Sequence, residues 1–345
     1  MCGKKIHHWY QDYLSGFPED KTLYQHDTED TDIISRKTGK AKTIAVPIFK
    51  PWNFGVSMSI DDKNIGGIGY MIIRNKETGK IALMIATTKL KLIKRILQTL
   101  PAKISFNVEK VTRDMAKGYY AMLHEVFPRA VQVVDKFHVI KHALDALQDT
   151  RIRYRQMYLT KRRQAYDEQK LKEKQRKEEF AYLNITYQKA QFRYKEPRYE
   201  NGETALQLLA NSRYLLFKFS KDWDDYSKER ANILFREFPE IHKAYQNVCQ
   251  FRLWMQRENI GRERQKLIEE LRAWFQSVEE SDVEEILNFK SLIERNSSFI
   301  LNYFISGDTN ADAEGLNSQI ERFIVNNGGI KNRDFFHFRM KKHFS

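Results

Sequence analysis

Residues 110–142, KVTRDMAKGYYAMLHEVFPRAVQVVDKFHVIKH, alternate strand and helix twice. A short apolar strand leads to Asp114. Met115, Tyr119, Met122, Leu123 and Val126 then recur at helical spacing, and Pro128 closes that helix. A second strand, Ala130–Val134, carries Val131, Val133 and Val134 and ends at Asp135. His138 follows at the start of another amphipathic run through Val139, Ile140, Ala143, Leu144 and Leu147. Two aspartates therefore stand at the C-terminal ends of two strands joined by one helix. In open α/β sheets that edge is where ligands and metals bind.

Upstream of this stretch the pattern is β. Val46–Phe49 is a short strand. Gly55–Ile60 alternates Val56, Met58 and Ile60 against Ser57 and Ser59, and ends in Asp61 and Asp62. Asn64–Gly69 is a turn, Tyr70–Ile73 a second strand, Asn75–Lys80 a hairpin connection and Ile81–Ala86 a third strand. Thr87 or Thr88 caps a helix carrying Leu90, Ile93, Ile96, Leu97 and Leu100, which Pro101 ends. Val108–Thr112 is the strand leading to Asp114. The order β-β-β-α-β-α-β predicts an α/β fold of the ribonuclease-H-like kind, since a generic α/β sheet usually alternates strand and helix from the start.

Beyond Lys141 the character changes. From Ala143 to about Phe304 no convincing strand is found. Residues 151–200 hold fifteen Lys/Arg against seven Asp/Glu, with tyrosines and phenylalanines interleaved. The run Lys170–Glu179 reads equally as a solvated long helix or as a DNA contact. Apolar spacing places successive helices around Leu206–Leu215, Ile233–Glu237, Val248–Met255, Leu267–Phe275 and Val283–Leu287. After a turn at Gly307–Asn310, a helix carries Glu314, Leu316, Ile320, Phe323 and Ile324. It breaks at Asn326–Gly329, and Phe335, Phe336, Phe338 and Met340 close the fold on a final helix. The chain thus divides into a polar segment (1–45), a first catalytic part (46–142), an all-helical insertion (143–304) and a last catalytic part (305–345) that carries the glutamate helix. His7 and His8 have no partner ligands at a useful spacing.

A net charge of +14 points to a polyanionic partner, because neutralising phosphates releases counterions. Hydrophobic residues make up 41% of the chain, enough for a globular protein, and no run of about 18 apolar residues could span a membrane. The first twenty residues are polar, without a signal segment. Cys2 and Cys249 are too few for a disulfide framework or a four-cysteine zinc site, so a reducing cytoplasm is expected.

Asp61, Asp114 and Glu314 form the candidate constellation. Adjacent first and fourth strands would bring Asp61 and Asp114 face to face, and a helix returning across the sheet would add Glu314. Clustered carboxylates repel unless a divalent cation neutralises them, and oxygen ligands suit Mg²⁺ or Mn²⁺. Two such ions about 4 Å apart can activate a water or 3′-hydroxyl and stabilise the leaving oxygen in a phosphodiester displacement. Each acid alone reads as a cap or a turn former. The strand order and the net charge together lift the combination above that.

At these motifs the chain resembles bacterial insertion-sequence transposases of the DDE type, of the ISL-three family. The resemblance rests on RDM at Arg113–Met115, FPRAVQVVDKFHV at Phe127–Val139, LDALQDTRIR at Leu144–Arg153, TNADAEGLNSQIERF at Thr309–Phe323 and GGIKNRDFFHFRM at Gly328–Met340. It implies Asp61, Asp114 and Glu314 as the acidic triad, two Mg²⁺ or Mn²⁺ ions, and a helical insertion before the glutamate helix. Asp135 and His138 resemble the D-x-x-H element that lies near the scissile phosphate. Asn317 resembles the asparagine of a Glu-Gly-x-Asn element and would steady the metal ligands from one helical turn beyond Glu314. Asp62 stands where the family often has another acid and competes with Asp61 for the first place.

Such transposases usually begin with a zinc ribbon and a helix-turn-helix. About 50 residues with one cysteine precede the first catalytic strand, so the resemblance implies a separately encoded N-terminal recognition protein as partner, and a homodimer or larger complex on DNA ends and target. Arg322, Lys331, Arg333 and Arg339 flank the glutamate helix as candidate phosphate contacts, with a solvated basic face as the alternative. Trp254 would stack on a flipped base or pack in a core. The function expected is metal-dependent strand cleavage and transfer. A nuclease or resolvase of the same fold, and a DNA-binding regulator that no longer cuts, are the competing readings.

Overall fold

A computed structural model describes residues 10–17, 24–26, 44–116, 118–186, 196–307 and 311–345. Two compact units emerge. One comprises Met1–Val139, Ile260–Arg262 and Asn296–Ser345, the other Ile140–Asn259 and Glu263–Arg295.

The first unit is built on β1 (Tyr24–His26), β2 (Ile44–Val46), β3 (Ile48–Phe49), β4 (Ser57–Ile65), β5 (Ile68–Asn75), β6 (Ile81–Ile85), β7 (Lys110–Arg113) and β8 (Val131–Val134). β1 pairs with β2, and the other six form one sheet in the order β3-β6-β5-β4-β7-β8. β4, β5 and β6 are an antiparallel meander, whereas β7 runs parallel to β4 and β8 parallel to β7. This is the ribonuclease-H-like arrangement that the strand order predicts, with short β3 added beside β6.

The sheet separates two apolar layers because side chains alternate along each strand. Met58, Ile60, Met71 and Ile73 face α1 (Leu90–Leu97) and α3 (Tyr119–Val126), burying Ile93, Leu97 and Leu123. Ile65, Tyr70, Ile72 and Met84 face the other way, against Leu316 and Ile320 of α10 (Ala311–Asn326) and Phe336, Met340 and Phe344 of α11 (Arg333–Phe344). Residues 10–17 join this second layer. The Phe17 ring lies 5.3 Å from Phe335 and 5.6 Å from Phe338, and Lys342 donates to the Ser15 carbonyl.

Several boundaries differ from the sequence reading. β4 does not end at Asp61. Pairing with β5 continues through Asp61↔Ile72 and Asp62↔Met71 to Ile65, and the turn shrinks to Gly66 and Gly67, both at positive φ. Neither Thr87 nor Thr88 caps α1, which begins after Lys89 without a side-chain cap; Thr87 Oγ1 instead accepts from the Lys89 amide at 3.1 Å. Pro101 opens a short helix, α2 (Ala102–Asn107), where proline's missing N–H costs nothing. Met115 lies before α3, which starts after Gly118 at φ +90°. Val131 is 51% exposed, unlike buried Val133 and Val134.

In the second unit the described residues form helices, with one isolated bridge between Arg198 and Thr204. They are the body of α4 (Lys136–Tyr182), then α5 (Ala205–Asn211), α6 (Asp225–Glu237), α7 (Pro239–Trp254), α8 (Arg264–Ser281) and the first half of α9 (Glu284–Ser306), whose second half belongs to the first unit. α5 opens with a reciprocal capping box between Thr204 and Gln207. Phe251 anchors an aromatic core, its ring 4.7 Å from Trp274 and 5.1 Å from Phe289. Buried Arg151 spans helices by donating to the Leu209 carbonyl and Gln148 Oε1, each at 2.7 Å.

Candidate active site

Register aligns three aspartates. β4 pairs with β7 as Ser59↔Thr112, and carrying that pairing two residues on brings Asp61 level with Asp114. β7 pairs with β8 as Arg113↔Val134, and one further residue brings Asp114 level with Asp135. Asp114 and Asp135 directly follow β7 and β8, and the Asp135 amide donates to the Arg113 carbonyl at 2.8 Å. The parallel ladder ends just below this row while the β4–β5 hairpin continues past it, so Asp61 stands beside the open end of β7.

Asp61 and Asp62 point to opposite faces. Asp61 Oδ2 accepts a 2.5 Å hydrogen bond from Asn317 Nδ2 on α10, and its Oδ1 accepts from the Asp62 amide at 3.0 Å. Two residues on, Lys63 Nζ pairs with Glu321 at 2.8 Å. Asn317 and Glu321 are successive positions of one helical face, so α10 is tied along β4 at two points. Asp62 Oδ1 instead accepts a 2.8 Å bond from Tyr119 Oη on α3. Its carboxyl, although exposed at the surface, is pushed up to about 6. The protein crowded around it contributes most and the Asp114 and Asp61 charges add to it, against the Tyr119 bond. Burial, then the charge of Asp62, raises the Tyr119 hydroxyl.

His138 occupies the first turn of α4. Its Nδ1 is 2.9 Å from Oδ2 of Asp135, a carboxylate 1% exposed whose Oδ1 accepts from the Phe137 amide at 3.2 Å. The Asp135 bond raises the imidazole above its ordinary value, opposed by burial and helped by the charges of Asp135, Asp61 and Asp114. A histidine that feels all three aspartates belongs to the same electrostatic cluster.

Glu314 lies in the first turn of α10, but its side chain falls outside the described residues. Among the described residues no group of three or more histidine, cysteine or acidic side chains could hold a metal ion. His7 and His8 also fall outside them.

The basic candidates divide by environment. Arg322 and Lys331 are exposed. Arg333 is engaged within the fold, donating to the Gly66 carbonyl at 3.1 Å and to Tyr70 Oη at 3.3 Å. The Arg339 guanidinium lies 5.0 Å from the Phe323 ring centre and 5.6 Å from that of Phe335. Trp254 is 9% exposed and packed 5.7 Å from Phe251, in keeping with the core-packing alternative.

Sequence reasoning missed the Tyr119–Asp62 bond and the Lys63–Glu321 pair. Tyr119 fits the apolar face of a helix, and helical spacing carries no information on the partner of its hydroxyl. The alternation of Lys63 and Ile65 beyond Asp62 is the signal that could have extended β4.

A family model described as Transposase, DDE_Tnp_ISL3, matches residues 58–340. No curated protein and no solved structure matches significantly. The matched span contains the whole row of aspartates, the helical insertion and the glutamate helix, and the chain belongs to this transposase family.

Proposed function

We propose that this transposase cleaves DNA at the ends of an insertion sequence and transfers the freed 3′-hydroxyl into target DNA. The observation that carries the reading is the alignment of Asp61 with Asp114, with the helix of Glu314 tied to Asp61 through Asn317. Asp61, Asp114 and Glu314 would hold two Mg²⁺ or Mn²⁺ ions. All three offer oxygen, the donor that such hard cations take, and Asp62 beside Asp61 is pushed up chiefly by burial, with the Asp114 and Asp61 charges adding to it. When bound, such ions polarise the phosphodiester and lower the cost of forming the attacking hydroxide or alkoxide.

The chain's own groups prepare this site. Asn317 fixes one oxygen of Asp61 and leaves the rest of the carboxylate for a ligand. Asp135 orients His138 and favours its protonated form, so Nε2–H can donate to a phosphate oxygen while Nδ1–H is held. Exposed Arg322 and Lys331 near the glutamate helix supply phosphate contacts. The protein works as a dimer or larger complex, bringing paired ends together.

The test is nicking of supercoiled DNA carrying the element's ends, in Mg²⁺ and in Mn²⁺, by wild type and Asp114→Asn. Wild type should nick at the element ends, and the variant should lose at least a thousandfold in rate. Equal nicking by both would overturn the assignment of the site. Nicks scattered over the plasmid would select a general nuclease.

A further inference from the structure

We propose that Arg113 is a positioning residue whose buried guanidinium locks the Asp114 end of β7 to β8 and to α9, fixing Asp114 relative to the helix of Glu314. The proposal rests on the metal-dependent reading above.

Arg113 is 2% exposed. It donates from Nε to Gln132 Oε1 at 2.8 Å and from Nη1 to the main-chain carbonyl of Asp114 at 2.7 Å. Its guanidinium carbon lies 4.8 Å over the Phe299 ring of α9. Among the described residues no carboxylate forms an ion pair with it. Burial works against its charge and the neighbouring Asp114 carboxylate works for it, while a Met or Leu would fill the space without the cost of burying a cation. Its hydrogen bonds explain why an arginine stands there.

Gln132 is itself 5% exposed and fully engaged. Its Nε2 donates to the Tyr120 carbonyl at 3.0 Å, and its main-chain carbonyl accepts from Asn302 Nδ2 at 2.9 Å. Phe299 and Asn302 are three apart on one face of α9. The Tyr120 ring lies 5.0 Å from Phe299, drawing α3 into the same cluster. The end of α9 is thereby anchored to Arg113, which precedes Asp114, and to Gln132, and α10 begins at Ala311. The planar fork of an arginine makes three of these contacts at once: two hydrogen bonds in different directions and a stacked ring. A lysine, as a point donor, cannot.

The experiment compares wild type, Arg113→Lys, Arg113→Met, Phe299→Leu and Asn302→Ala. Mn²⁺ binding is followed by the loss of the free-ion electron paramagnetic resonance signal. The Mg²⁺ concentration for half-maximal nicking, DNA binding in gel shift and thermal melting are measured alongside. Supporting outcomes are a tenfold or greater weakening of Mn²⁺ binding in Arg113→Lys, a matching rise in Mg²⁺ demand, and DNA binding within twofold of wild type. Asn302→Ala, which removes a peripheral bond, should show a smaller shift in the same direction and keeps the test open if the Arg113 variants fail to fold. Unchanged Mn²⁺ affinity in the folded variants, with activity falling only as melting temperature falls, would overturn the proposal and leave the catalytic reading standing. Wild type that neither binds Mn²⁺ nor nicks would overturn both.

Discussion

Tyr119 Oη donates a 2.8 Å hydrogen bond to Asp62, while Asp61, the next carboxylate back along β4, is bonded at 2.5 Å by Asn317 from the opposite face of the sheet. Strand alternation separates two adjacent acids that look equivalent in sequence. Asp61 shares its face with the glutamate helix, and Asp62 is occupied by a buried tyrosine. Asp61→Asn should therefore abolish end nicking, a loss of at least a thousandfold. Asp62→Asn, which still accepts from Tyr119, should stay within about tenfold of wild type. Initial nicking rates of the two variants decide the matter; the reverse order would make Asp62 the first aspartate.

Asn317→Ala removes the amide that holds Asp61 but leaves α10 pinned by Lys63–Glu321 and by buried Leu316 and Ile320. Metal affinity should fall about 10- to 100-fold, with the melting temperature changed little. Nicking titrated with Mg²⁺ should show the loss at low metal and recovery at high metal. A loss that no Mg²⁺ concentration restores would mean that Asn317 acts on the DNA.

Gly118 stands at φ +90°, and a Cβ there would meet Leu90 Cδ1 at 2.5 Å. The residue lets α3 start close against α1 and so sets the position of Tyr119. Gly118→Ala combines backbone strain of about 1–2 kcal/mol with a repacking cost of similar size, so a destabilisation of about 2–4 kcal/mol is expected. Denaturant unfolding measures it. Leu90→Ala in the same chain should recover part of the loss by making room.

His337 is 1% exposed, with Nε2 2.7 Å from Tyr70 Oη and Nδ1 without a partner among the described residues. Burial pushes its pKa down to about 4; Arg333 acts in the same direction and Asp334 against it. The unfolded chain therefore binds a proton here that the folded chain refuses. This contribution to stability is complete above about pH 6.5, is lost as pH falls towards 4, and is on the order of 3 kcal/mol. His337→Gln keeps a hydrogen-bonding side chain but does not titrate. Its melting temperature should fall less steeply than that of wild type between pH 6.5 and 4, and parallel slopes would contradict the assignment.

The sheet was legible because each strand carries its own alternation, as Met58 and Ile60 do against Ser59, and because hairpin and crossover connections differ in length. The ends of elements were less legible. Hydrogen bonding to β5 carries β4 past two charged residues that read as a strand end. Pro101 reads as a stop yet opens α2. The side of the sheet that each acid faces depends on the register between strands, which no local pattern contains. Arg113 was visible as part of a motif, but its burial was not, since an arginine beside apolar residues reads as the solvated edge of a strand. Trp254 shows the converse, a residue suited to base stacking that the helical core claims for packing.

In the proposed reading Asp61, Asp114 and Glu314 form one metal site. Iron-mediated backbone cleavage tests it most directly. Fe²⁺ replaces Mg²⁺ in the wild-type chain, hydroxyl radicals are generated with ascorbate and peroxide, and the cut positions are mapped by mass spectrometry. A shared site should give three clusters of cuts, around residues 61, 114 and 314, all suppressed by excess Mg²⁺ and all lost together in Asp114→Asn. Cuts near 61 and 114 without any near 314, or cuts at 314 that survive Asp114→Asn, would contradict a single shared site.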